Sequence, residues 1–319
     1  MRLVTNIRKR DPHGAFGVFL VILATFALYS LGCSRSETTT GQQINNGVGF
    51  FYFKDKAISN GSAMRVFYYK PKSFTVYSQI LFFMHGADRK AENIPRIAAD
   101  ALEKLNILLI VPEFSEELFP KIDAYQYGSV RTKPKQLWSF FVNDRIFKFV
   151  RRITDTRQSQ YYIWGNSAGA QFVHRQILVG AHEFIQKAFV SNAGVYTLLT
   201  KGRDPYPYSI NGLGLTSMSL KSVFLVNLFV LLGEEDVVQD AYFLKSKAAM
   251  RQGSNRFQRG KLFYATAESE ARARGLTFNW KLLTFPGCGH EPNDEMLEKV
   301  ISLITDSQNG TSGPNWKED

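Results

Sequence analysis

The chain has 319 residues, 45% of them apolar, and carries a formal charge of +11 at pH 7. That size and apolar fraction suffice for one large domain with a substantial core. The charge falls to +8 once the first eleven residues are set aside, and the rest is scattered without a dense stripe of Lys and Arg. This pattern points away from a nucleic-acid protein and toward a solvated basic surface. Two cysteines, Cys33 and Cys288, are too few for a disulfide framework. No C-x-x-C or H-E-x-x-H spacing occurs, so no metal site is expected.

The chain opens on a basic stretch (Arg2, Arg8, Lys9, Arg10), followed by an uncharged run from 12 to 34 that is almost unbroken in apolarity from Ala15 to Leu31. This is the layout of an export signal. Its end, Ser30-Leu31-Gly32-Cys33-Ser34, resembles a bacterial lipobox, departing from it at Ser30 where an aliphatic residue is usual. Lipidation at Cys33 ranks first among the outcomes. An uncleaved anchor ranks second, since this run at about 1.5 Å per residue can cross a bilayer core. Free secretion ranks third. All three leave the basic end in the cytoplasm and the domain outside it, membrane-attached in the first two cases. Residues 1–33 are therefore read as a leader. Residues 34–48, rich in Ser, Thr, Gln, Asn and Gly, are read as a flexible tether.

Residues 49–305 read as the folded domain and 306–319 as a polar tail. Phe51 to Lys54 and Met64 to Lys70 are short aromatic and β-branched runs, expected to pair antiparallel at a sheet edge. Strand-length apolar runs follow at Gln79 to Met84, Ile107 to Val111, Tyr161 to Trp164, Lys187 to Val190, Val223 to Leu232 and Asn279 to Phe285. Helical spacing is visible over Ala91 to Lys104, Phe140 to Ile153 and Ala168 to Val179, and helices are expected near Asp240 to Arg251 and Asp294 to Ile304. Continuous apolar strands alternating with amphipathic helices predict an α/β fold with a mostly parallel sheet covered on both faces. The stretch at about 192–220 is rich in Gly, Pro and Tyr and long for a connection, so it is expected to form a lid or pocket wall.

Gly165-Asn166-Ser167-Ala168-Gly169 fits G-x-S-x-G, directly after one of these strands and at the start of a helix. A sharp strand-to-helix turn would expose the serine, and the helix N-terminus would aim free N–H groups at a developing oxyanion. Ser167 is the candidate nucleophile, and it needs a base. His13 lies in the leader. His174 sits about two turns down the same helix, His182 beyond it, and His85 ends a strand before Gly86 and is read as holding that turn. His290 remains, in the loop after the last strand. The acid belongs after the strand that ends at Leu232, where Glu234, Glu235 and Asp236 are nearly tied on spacing. Asp240 and Asp204 are weaker candidates. Backbone N–H groups of Ala168 and of Ala87 are expected to form the oxyanion hole, each worth about 2–4 kcal/mol in the barrier.

With His85-Gly86, Val111-Pro112-Glu113-Phe114, the Gly165 to Gly169 turn, Gly233 to Asp236 and Pro286-Gly287 leading to His290, the chain resembles the α/β-hydrolase superfamily. Within it, the likeness is to exported serine esterases of the polyhydroxybutyrate depolymerase-like and feruloyl-esterase-like kind. The resemblance spans roughly residues 50 to 305. It implies the α/β-hydrolase fold, Asp236 as the acid, and cleavage of a small-molecule or polymeric ester by Ser167, Asp236 and His290, with no cofactor. A peptidase or lactonase using the same residues, or a catalytically silent envelope binding protein, are the competing readings. Arg89, one turn past the oxyanion loop, is expected at the surface. Mass spectrometry of the membrane-associated protein should find its N-terminus at a lipidated Cys33; an unmodified Met1 would contradict this.

Overall fold

The computed structural model describes residues 44–58 and 61–306. The leader with Cys33, most of the predicted tether and the polar tail from 307 lie outside the described residues.

Among the described residues, eight strands form one sheet in the order β1-β2-β4-β3-β5-β6-β7-β8. They are β1 (Gly47–Lys54), β2 (Ala63–Lys70), β3 (Gln79–Met84), β4 (Ile107–Pro112), β5 (Tyr161–Asn166), β6 (Ile185–Ser191), β7 (Leu228–Gly233) and β8 (Lys281–Phe285). β1 and β2 form the antiparallel edge, β2 also runs antiparallel to β4, and the remaining pairs are parallel. The principal helices are α1 (Ile94–Leu105), α2 (Val142–Thr154), α3 (Ala168–Leu178), α4 (Ser217–Leu225), α5 (Arg256–Ala273) and α6 (Asp294–Thr305).

Successive side chains of a strand point to opposite faces, and two separate cores result. Ile80, Phe82, Leu108, Ile110 and Ile163 pack with Val150, Phe172, Phe224 and Phe263, which come from α2, α3, α4 and α5. Leu81, Leu109, Tyr162, Trp164 and Leu231 pack on the other face with Ala98 and Leu102 of α1 and with Met296 and Val300 of α6. Both faces of the central strands are thus covered, and their apolar runs are unbroken for that reason. Active-site loops of such a sheet gather at the carboxyl ends of the parallel strands, because the connections on that edge lead from strand to helix.

Four expectations need correction. The run Val223 to Leu232 is not one strand: the side chain of Thr216 caps α4 by accepting the Ser219 N–H at 3.2 Å, and the helix consumes Val223 to Leu225 before β7 begins at Leu228. Asp240 to Arg251 holds only the helical turn Lys247–Met250. The longest helix among the described residues, α5, follows it unpredicted. Its buried positions Arg256, Arg259, Gly260, Phe263, Ala267 and Ala271 keep helical spacing, but two arginines and a glycine hide the apolar stripe. Finally, the end of the predicted tether belongs to the domain, since Ile44 is 4% exposed and β1 starts at Gly47.

The region 192–220 is not an open flap. Tyr196, Thr197, Leu199, Ser209 and Ile210 are buried, Leu198 bridges to Ser209, and α4 starts before the segment ends.

The closest backbone approach lies where α3 leaves β5. A Cβ on Gly169 would stand 2.0 Å from the Met84 carbonyl oxygen at the end of β3, and one on Gly165 would stand 2.4 Å from Gly169 itself. Only glycines let helix, turn and neighbouring strand meet there. Gly169→Ala should therefore cost about 3 kcal/mol of stability in urea unfolding. Gly289→Ala, whose Cβ meets nothing within 4 Å, should stay within about 0.5 kcal/mol of wild type.

Candidate active site

Three loops at the carboxyl edge of the sheet carry the predicted residues. Ser167 stands between β5 and α3 with φ 54 and ψ −113, a left-handed conformation that a non-glycine residue adopts at a cost. The strain is held by the surrounding bonds. The Ser167 N–H donates to the Ser191 carbonyl at the end of β6 (3.0 Å), and its own carbonyl accepts the Gln171 N–H (3.1 Å). The hydroxyl is thereby presented above the sheet edge rather than used as a helix cap.

Asp236 follows β7 and is 2% exposed. His290 lies in the loop between β8 and α6, with its side chain 23% exposed. Its Nδ1 is 2.9 Å from Asp236 Oδ2 and its Nε2 is 3.0 Å from Ser167 Oγ. One imidazole therefore bridges the hydroxyl and the carboxylate. Three of the rivals of Asp236 are engaged elsewhere. Glu234 accepts from the Thr284 hydroxyl (2.7 Å), Asp204 pairs with Arg251, and Asp240 accepts two bonds from Arg256.

The acid and base loops lie backbone to backbone. A Cβ on Gly233 would come within 2.3 Å of the Gly289 carbonyl oxygen, and the Glu235 N–H donates to the Cys288 carbonyl (2.9 Å). Cys288 is buried beneath this contact.

Behind the acid stands Arg256, 1% exposed, which no sequence signal marked as functional. Its Nη1 reaches Asp236 Oδ1 at 3.4 Å and the Val238 carbonyl at 3.2 Å, while Nη2 is shared between both oxygens of Asp240. A buried carboxylate is costly without such compensation. Arg256 supplies a positive charge on the side of Asp236 that faces away from His290, and Asp240 balances the excess.

The loop after β3, which carries Ala87, is held as tightly. His85 is 1% exposed, its Nδ1 bonds the Gly86 carbonyl (2.9 Å), and its Nε2 accepts the Phe114 N–H (3.0 Å). These partners fix the neutral tautomer with the proton on Nδ1. Tyr125 donates its hydroxyl to the His85 carbonyl at 2.7 Å. Ala87 then sits in the exposed turn closed by the Arg89 N–H on the Gly86 carbonyl (3.3 Å). Ala168 opens α3, so its N–H has no acceptor within the helix.

Arg89 is not the surface residue expected. Its side chain is 12% exposed, lies over the Tyr125 ring at 4.6 Å, and donates to the carbonyls of Phe114, Phe119 (3.2 Å) and Lys121 (3.0 Å). Arg175 and Arg259 are fully buried. Arg175 donates to Thr197 Oγ1 (2.9 Å) and to the Gln126 and Pro207 carbonyls; Arg259 donates to those of Gly194 (2.6 Å) and Leu244 (2.9 Å). The basic residues are thus only partly a solvated surface. Several of them stitch the irregular segments around the site.

A second chain of bonds reaches the nucleophile turn from β6. Trp164 Nε1 donates to Ser191 Oγ (3.0 Å), Ser191 Oγ contacts Asn166 Oδ1 (3.0 Å), and Asn166 Nδ2 donates to Glu291 (3.2 Å). The residue before Ser167 is thereby tied to the residue after His290. The spacing of the motif showed Asn166 but not this link.

No family model matches the sequence, and no curated protein does. Solved structures do. Poly(aspartic acid) hydrolase-1 from Sphingomonas sp. KT-1 is 30% identical with a TM-score of 0.76, over 82% of this chain and 99% of that one. The chain belongs to the α/β-hydrolase superfamily. The poly(3-hydroxybutyrate) depolymerase from Bordetella parapertussis is 27% identical with a TM-score of 0.75, over 82% of this chain and 91% of that one. Esterase Est22, at 14% identity and a TM-score of 0.50, shares the fold. This α/β-hydrolase therefore resembles hydrolases of polymers and of esters. Among its described residues, no helix is long and apolar enough to cross a membrane.

Burial drives the pKa of His85 down to about 4 from its ordinary 6.5. The unfolded chain takes up this proton as the pH falls through 6.5, whereas the folded chain resists until about 4. The contribution of neutral His85 is complete above 6.5 and is lost between 6.5 and 4, an amount on the order of 3 kcal/mol. The stability cost of His85→Gln in urea unfolding should accordingly shrink from pH 7 to pH 4.5. A cost independent of pH would contradict a neutral His85.

Proposed function

We propose that this α/β-hydrolase is a serine esterase that cleaves carboxylic esters through Ser167, His290 and Asp236. The observation that carries the reading is the imidazole of His290 within 3.0 Å of a strained, outward serine and 2.9 Å of a buried carboxylate. A serine hydroxyl is a weak nucleophile at neutral pH, and a base at hydrogen-bond distance is what its activation requires.

In this scheme Ser167 Oγ attacks the ester carbonyl carbon as His290 Nε2 takes its proton. Asp236 accepts the Nδ1 hydrogen, which selects the tautomer with a free lone pair on Nε2 and stabilises the imidazolium once formed. Arg256 and Asp240 keep Asp236 in place. The carbonyl oxygen becomes an oxyanion facing the N–H groups of Ala168 and Ala87. Collapse breaks the bond to the alkoxy oxygen, and His290 Nε2 hands its proton to the departing alcohol. Water then repeats the sequence on the acyl-enzyme, releasing the acid and restoring Ser167. Every proton taken is returned, and no cofactor enters.

Two features support an uncharged substrate. Glu291, next to His290, reaches the Asn166 amide beside Ser167 at 3.2 Å, and the guanidinium groups of Arg89 and Arg256 are occupied by backbone carbonyls and by Asp240. Such a rim disfavours a polycarboxylate. The second reading, hydrolysis of an amide bond by the same residues, is favoured by the 30% identity to poly(aspartic acid) hydrolase-1. We place the activity outside the cytoplasm, on a domain attached to the membrane through the leader, as the basic and apolar N-terminus supports.

A fluorophosphonate should label the wild-type protein and not Ser167→Ala. Turnover of p-nitrophenyl esters should fall by about 10⁴-fold in Asp236→Asn, which leaves the imidazole in the wrong tautomer. Cleavage of poly(aspartic acid) without ester turnover would select the amide reading. A folded wild-type protein that is neither labelled nor active would leave the fold as a binding protein.

A further inference from the structure

The strand β6 lies between β5, which leads to Ser167, and β7, which leads to Asp236. It ends at Ser191, and Asn192 follows. The Ser191 carbonyl holds the Ser167 N–H, so the first of these two residues serves the nucleophile turn. Asn192 serves the other two loops at once. It is 1% exposed, has φ 51, and sends its own N–H to the Leu231 carbonyl at 3.2 Å. Asparagine is among the few non-glycine residues that enter this left-handed region readily.

The Asn192 side chain makes three hydrogen bonds to backbone. Nδ2 donates to the carbonyls of Gly289 (3.1 Å) and His290 (2.9 Å), and Oδ1 accepts the Gly233 N–H (2.9 Å). Two carbonyls require the NH₂ and an N–H requires the oxygen, so the partners settle which end of the amide is which. The Gly233 carbonyl in turn accepts the Asp236 N–H at 3.2 Å. One buried amide thus fixes the backbone of the base itself and the root of the acid turn.

We infer that Asn192 is a positioning residue that sets His290 in register with Asp236 and Ser167. The inference rests on the catalytic reading of those three residues. Asn192 touches no reacting atom and acts through the two loops that it joins. No other side chain reproduces its pattern. Aspartate keeps the acceptor for Gly233 but aims a second oxygen at two carbonyls. Alanine leaves the buried Gly233 N–H and two partly buried carbonyls without this partner, and glutamine is one methylene too long.

The test compares wild type with N192D and N192A in the full chain. Three quantities are read: kcat per titrated active site on a p-nitrophenyl ester, KM, and the low-field proton resonance of His290 Nδ1, assigned by its loss in His290→Ala. The expected result is a fall in kcat of about 10²-fold with KM within about two-fold, as for a reacting group displaced by roughly 1 Å. The resonance should shift or broaden in both variants. A merely structural role would lower the melting temperature and the titrated fraction but leave kcat per site and the resonance as in wild type, and that outcome overturns the proposal. Should N192A fail to fold, the nearly isosteric N192D still reports. Should wild type prove inactive and unlabelled, the catalytic reading fails, while the resonance still shows whether Asn192 orders the His290–Asp236 pair.

Discussion

A single imidazole has to meet a hydroxyl and a carboxylate that come from different strands, and the rest of this structure follows from that demand. His290 makes both contacts from the loop after β8. Hydrogen bonds fade within a few tenths of an ångström and a modest angle, so three loops must be placed relative to one another almost as firmly as the sheet itself. The fold meets the demand by packing the loops backbone on backbone. Gly169 lies against the end of β3 and Gly233 lies against Gly289, at distances that no Cβ would allow. The strained φ of Ser167 is tolerated because the residues on either side of it are held in this way.

Buried guanidinium groups do the same work farther out. Regular elements satisfy their own backbone, whereas long irregular segments leave carbonyls that need donors. Arg89 supplies them to residues 114–121, Arg175 to 126 and 207, and Arg259 to 194, 244 and 253. Arginine suits this role because its planar fork offers five donors and keeps its charge when buried. Among the described residues, the partners of Arg175 are neutral oxygens rather than a carboxylate, so its charge is spread over several carbonyl and hydroxyl dipoles. The region 192–220 is consequently a fixed wall beside α3.

The sequence carried the sheet and the nucleophile turn plainly, because both depend on patterns of adjacent residues. Gln79 to Met84 is a strand with the bounds read from its apolar run, and G-x-S-x-G lies on the strand-turn-helix that its chemistry requires. What remained hidden depends on residues far apart. The apolar run that ends at Leu232 gives no sign that a Thr216 cap draws its first part into a helix. Helix α5 buries Arg256 and Arg259 where an amphipathic helix would carry leucine, and only the tertiary partners of those arginines explain it. Spacing left Glu234, Glu235 and Asp236 level; the position of His290 separates them. Asn192 belongs to no motif, since its meaning lies in backbone groups more than forty and ninety residues away.

We propose that Ser167, activated by His290 and faced by two backbone N–H groups, attacks a carbonyl carbon. A crystal structure of the protein after reaction with a p-nitrophenyl phosphonate tests it most directly. Phosphorus should be found bonded to Ser167 Oγ, with the phosphoryl oxygen within hydrogen-bond distance of the N–H groups of Ala168 and Ala87. An adduct on another residue, or an intact Ser167 in crystals soaked to completion, would contradict it.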